Sequence, residues 1–168
     1  MKKTITLTLI VILALSCKKH TFNKQKEKNT INTLLNNWHS NAANADYDNY
    51  FSKMDSDAVF IGTDASENWS KTEFEKFSKP YFDKKKTWHF KPLERNIYFN
   101  TTKKIAWFDE LLKTHMGISR GSGVLEKTHD VWKIKHYVLS ITIPNDNVKE
   151  ITQINRKKDS IFLQNFKK

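Results

Sequence analysis

The 168-residue chain has a single cysteine, Cys17. One thiol can neither close an intrachain disulfide nor build a cysteine-ligated zinc cluster. Proline and glycine are also scarce, at three and four residues, which excludes collagen-like and low-complexity classes. There is no glycine-rich phosphate loop, no serine elbow and no HExxH pair. His89, His115, His129 and His136 never fall at a metal-ligand spacing with a second ligand, so neither a metal nor a cofactor is expected. The chain has one long apolar run, Ile5 to Leu15, too short for a spanning helix. Acidic residues are the minority, 18 against 29 Lys and Arg, for a net charge of +11. Aromatic residues are present in force, with 11 Phe, five Trp and five Tyr. Disordered chains lack such residues, so a packed core is expected despite a mean hydropathy of −0.66. The length suits one ordinary domain.

The apolar run follows Lys2 and Lys3 and precedes Leu13-Ala14-Leu15-Ser16-Cys17. A basic start, a short apolar stretch and a small residue before the cysteine resemble a bacterial lipoprotein signal. That resemblance implies a signal over 1–16, acylation of Cys17 as the new N-terminus, and attachment to a membrane of the cell envelope, on the periplasmic side. An ordinary signal peptide with a cysteine near its cleavage site is the alternative. Residues 17–28 then read as a basic tether. The stretch Lys18–Lys28 holds five Lys and one Glu and no periodic apolar face. The extension 145–168 carries six basic and three acidic residues, whereas the body 29–144 holds 16 and 14. The body is close to neutral and has no basic-aromatic stripe, so no nucleic-acid partner is expected.

Within the body, Ile31, Leu34, Leu35, Trp38 and Ala42 recur at helical spacing. A second, short helix follows Asp46. Ala58–Gly62 reads as a strand and Thr63–Trp69 as a loop. A third helix starts at Ser70 or Thr72 and runs to about Lys84, with Pro80 predicting a kink or an early stop. Four strands follow between Trp88 and Pro144, joined by turns near Asn100, Gly117 and His129-Asp130. Helices first and an antiparallel meander afterwards give an α+β domain. The extension reads as a short amphipathic helix packed on the body or as a frayed end.

Three stretches, FIGTDASENW (60–69), IAWFDE (105–110) and RGSGVLEK (120–127) followed by WKIKHYVLSITIP (132–144), together resemble a SnoaL-like domain of the nuclear transport factor 2-like superfamily. The resemblance implies a cone-shaped α+β barrel, with N-terminal helices packed in a curved antiparallel sheet and a pocket between them. It also implies a homodimer through the outer sheet face. It does not imply one activity, since the superfamily includes enzymes, ligand binders and oligomerisation domains.

The candidates for chemistry are Asp109 and His136. Asp109 shares strand parity with Ile105, Trp107 and Leu111, while Glu110 shares it with Ala106, Phe108 and Leu112. Both faces are apolar, so alternation leaves open which acid points inward. Alternation places His136 with Trp132, Ile134 and Val138, opposite Lys133 and Lys135, which predicts an inward histidine. An inward carboxylate and histidine could move a proton on an apolar substrate. The plainer readings are a hydrogen-bonded core histidine and an ion-paired or capping aspartate. Arg120 could neutralise Asp109 or receive an anion, if Gly121 or Gly123 bulges its strand. Trp38, Trp69, Trp107 and Trp132 are candidate pocket walls, and Glu67 could cover the mouth. Three functions follow as expectations: small-molecule binding, proton transfer or hydrolysis by Asp109 and His136, or an oligomerisation module.

Overall fold

The structure, a computed structural model, describes residues 22–166. The signal segment and Cys17 lie outside the described residues.

Helix α1 spans Lys24–Ala43. It begins inside the expected tether because Asn23 caps it, its side chain accepting from the Lys26 amide. Glu27 gives the first turn a reason to fold. Its carboxylate accepts from the Trp132 indole at 2.7 Å and from Lys127 at 2.9 Å. Ile31, Leu35, Trp38, His39 and Ala42 form the buried stripe. Helix α2, Tyr47–Ser52, starts at an Asp46 cap and buries Tyr50 and Phe51.

Strand β1 runs Met54–Ile61 and pairs with a short β2, Asn68–Ser70, which takes up the last two residues of the segment expected to be a loop. Helix α3, Lys71–Asp83, opens on a capping box between Ser70 and Glu73. Pro80 does not stop it. Only three helical residues follow the proline, so its missing N–H falls near an end where little of the ladder remains. Strands β3 (Lys91–Phe99), β4 (Ile105–Thr114), β5 (Gly117–Thr128) and β6 (Val131–Ile141) complete the sheet. The order is β2-β1-β6-β5-β4-β3. All pairs are antiparallel except β1 with β6, so one parallel pair interrupts the expected antiparallel sheet. His129 and Asp130 both take positive φ, 49° and 63°, as a two-residue hairpin turn requires.

The strand register decides which residues face the helices. Four inward rows cross β3 to β6: Pro92, Leu112, Ser119 and Ile141; then Arg95, Glu110, Gly121 and Leu139; then Ile97, Phe108, Gly123 and Tyr137; then Phe99, Ala106, Leu125 and Ile134. The phase along β6 changes between Ile134 and Tyr137. Val124 pairs with His136 but Leu125 pairs with Ile134, leaving Lys135 as the extra residue of a bulge. Against this concave face packs an aromatic core. Trp38 stacks on Tyr50 at 5.1 Å and meets Tyr137 edge-on at 4.8 Å, and Phe60 stacks on Phe74 at 4.0 Å. The sheet stays open and curved around the helices, as an α+β cone.

After β6, a 3₁₀ turn, Asn145–Asn147, leads into helix α4, Val148–Phe162. Among its described residues the extension is thus helical but buries none of them. Among the described residues, no helix is long and apolar enough to cross a membrane.

Candidate functional site

One end of the cone is open. The C-terminal ends of β1 and β6 and the β4–β5 turn meet helix α3 there, around a cavity of about 250 Å³. The apolar periodicity of α3 supplies Phe74 and Phe77, while β1 and β2 supply Phe60 and Trp69. Their rings run nearly parallel: Trp69 lies 5.7 Å from Phe74 and 4.5 Å from Phe77. Trp88 continues the array 5.9 Å beyond Phe74. Leu139, Phe90 and Met116 close the opposite side. Phe77 and Tyr81 remain exposed at the rim.

The ionisable side chains on this lining are Glu67, Tyr81 and His115. Glu67 closes the β1–β2 turn through its backbone, accepting from the Gly62 amide at 2.9 Å and donating to the Asp64 carbonyl at 2.9 Å. Its carboxylate accepts from the Asp64 amide at 3.2 Å. Gly62 makes room for that carboxylate, since a Cβ there would fall 2.1 Å from Glu67 Oε2. His115 stands at the β4–β5 turn with its ring parallel to Phe90.

A second polar constellation lies deeper and does not line this cavity. Glu110 is 1% exposed. Its Oε1 bonds His39 Nε2 at 2.8 Å and accepts from the Tyr137 hydroxyl at 3.0 Å. Its Oε2 accepts from Arg95 Nε at 2.9 Å and Nη2 at 2.7 Å. Arg95 Nη1 continues to the side chains of Asn32 and Asn36 in α1, at 3.1 and 2.9 Å. Burial pushes the Glu110 carboxyl up, but the His39 hydrogen bond and the His39 and Arg95 charges outweigh it and hold it below the usual carboxylate range. Burial first, and then the Glu110 charge, push the Tyr137 phenol well above its ordinary value. Both carboxylate oxygens are fully engaged, so this group ties α1 to β3, β4 and β6 and has no free lone pair aimed at a ligand.

The candidates named from the sequence are scattered. Asp109 lies on the outer face, in a row with Asn96, Ser122 and Val138. It accepts from Asn96 Nδ2 at 3.1 Å. His136 does not point inward. The Lys135 bulge turns it to the outer face, in a row with Tyr98, Trp107 and Val124. Asp109 and His136 are therefore on one face, but the wrong one for chemistry inside the cone. Arg120 is exposed on the outer face beside Leu111 and Ser140. Neither neighbouring glycine bulges the strand, because β4 and β5 pair in unbroken register. Of the tryptophans, Trp69 lines the cavity, Trp38 is buried in the core, and Trp132 is tied to Glu27 at the other end. Trp107 is exposed outside and stacks on Tyr98 at 5.9 Å.

His39, Arg95 and Tyr137 escaped sequence reasoning. His39 carried a usable signal, since it is four residues after Leu35 and three before Ala42 on the buried stripe of α1. Arg95 is recognisable only once its pairing with Glu110 across β3 and β4 is known.

The sequence matches the SnoaL-like domain family over residues 31–144. No curated protein matches it. Among solved structures, an NTF2-like protein of Pseudomonas putida KT2440 superposes with a TM-score of 0.62 at 10% identity, covering 74% of this chain and 92% of that one. The association domain of C. elegans CaMKII gives 0.59 at 19% identity, covering 70% and 98%. An NTF-2-like protein of Shewanella oneidensis MR-1 gives 0.56 at 18% identity, covering 68% and 99%.

Proposed function

Because the chain belongs to the SnoaL-like family, within the NTF2-like fold, we propose that it is an envelope-anchored protein that binds a small, largely apolar molecule at the open end of its cone. The observation that carries this reading is the cavity itself. It is about 250 Å³, walled by Phe60, Trp69, Phe74, Phe77 and Trp88, with a few convergent polar groups at its mouth. Concave aromatic walls with sparse polar groups are how proteins bury small ligands. The signal-like start and Cys17 support attachment to a membrane of the envelope, through acylation. The proton-transfer reading through Asp109 and His136 has no geometric support, since neither residue lines the cavity.

A second reading, self-association, rests on the outer sheet face, where Tyr98 and Trp107 are exposed side by side. It is compatible with ligand binding, because the two functions use opposite faces of one sheet.

The test of the ligand reading is native mass spectrometry on protein purified from its own host. The expected result is a bound small molecule that is lost from a Met116→Trp variant, which fills the mouth without entering the core. An equal ligand load in both proteins would remove the cavity as the site. Anchoring is tested separately, with globomycin or Cys17→Ser. Both should block maturation, and normal processing would dismiss lipidation.

A further inference from the structure

We propose that the mouth cavity selects a small organic cation, with its positive group at Glu67 and its apolar body among the rings. This inference rests on the reading of the cavity as a ligand site and narrows the class of ligand.

Charge is the first ground. The lining holds one carboxylate, Glu67, and neither Lys nor Arg. The described ion pairs engage other acids, including Glu27, Asp57 and Glu110, and Glu67 takes part in none of them. A half-buried carboxylate against aromatic walls has lost part of its hydration. A cation delivered by the ligand would restore what the protein does not supply.

The loop is shaped around that carboxylate. Gly62 leaves the space that Glu67 Oε2 occupies, and the Asp64 amide donates to the same oxygen. The acid is thereby held against the cavity wall. Its Oε1 accepts no hydrogen bond among the described residues.

The rings are the third ground. Protein cations sit over Tyr47, Phe22 and Trp132, all outside the lining. Trp69, Phe77 and Tyr81 at the mouth have no such partner among the described residues. Aromatic rings attract an organic cation most strongly where water is excluded. The cavity of about 250 Å³ admits a small quaternary ammonium or protonated amine rather than a large one.

Two probes of the same shape separate charge from hydrophobicity: choline and its neutral carbon isostere, 3,3-dimethylbutan-1-ol. Calorimetric titration of the full chain should give at least tenfold tighter binding of choline. Glu67→Gln should erase that preference while leaving the isostere's affinity unchanged, with circular dichroism confirming the fold. If the isostere binds wild type as tightly as choline, or if indole binds and choline does not, the cation inference is overturned and the cavity reading stands. If choline, the isostere and indole all fail to bind, the cavity reading falls as well.

Discussion

Gly121 and Tyr137 leave no space between them: a Cβ on Gly121 would lie 2.2 Å from the Tyr137 hydroxyl and 3.0 Å from Glu110 Oε1. The glycine is there because β5 passes directly beneath the buried hydrogen-bond group. Gly123 does the same for Phe108, whose ring would be 2.7 Å from a Cβ at that position. These glycines set the depth of the core and do not re-aim the strand.

Gly121→Ala should therefore destabilise the fold by about 3 kcal/mol, combining overpacking with a displaced buried hydrogen bond. Gly117→Ala should cost less, about 1 kcal/mol. It has open space around it, and only its φ of 94° disfavours a side chain. Urea unfolding of the two variants would rank them, and equal costs would mean the Tyr137–Glu110 contact is not what Gly121 protects.

Glu110 predicts the shape of the acid limb. Its folded-state carboxyl titrates below the usual range, so the folded state favours the ionised form more than the unfolded chain does. The resulting stability is present above the ordinary carboxylate value of about 4.3 and is lost as pH falls through the lower folded value. Wild type should lose stability steeply below about pH 4, and Glu110→Gln should flatten that part of the curve. Glu110→Ala should be worse than either at neutral pH, by about 3–5 kcal/mol, because it leaves Arg95 charged and buried without its partner. Denaturant midpoints measured from pH 3 to 7 check all three.

Much of the architecture was legible because it rests on local rules. The α1 stripe, the Ser70 cap, the hairpin at His129-Asp130 and the order of helices before strands all follow from spacing and turn chemistry. Alternation also narrowed the inward acid to one of two neighbours. What alternation could not reveal is the extra residue at Lys135. Every residue after a bulge changes face, so a correct pattern up to Ile134 gave a wrong face for His136 and hid Tyr137. The parallel pairing of β1 with β6 was equally hidden, since it joins strands at opposite ends of the domain. The cavity lies where the β1–β2 turn and the β4–β5 turn converge, and only the folded sheet brings Glu67 and His115 to one lining.

The same bulge makes a prediction about the outer face. By turning His136 outward, it completes a row with Tyr98, Trp107 and Val124 on the convex side of the sheet. Trp107 and Tyr98 are 45% and 44% exposed, and Ile118, in phase with Arg120 on β5, adds apolar surface to the same face. Large apolar side chains gathered on one face mark an interaction surface more often than a solvated one. Sedimentation equilibrium should show a reversible dimer, and Trp107→Glu should shift it to monomer by at least tenfold in dissociation constant. Asp109→Asn, which keeps the volume of a residue already satisfied by Asn96, should leave the equilibrium nearly unchanged. Choline or indole binding should survive both substitutions, because the cavity lies on the concave side. Loss of binding in the Trp107→Glu monomer would instead tie the cavity to the assembled form.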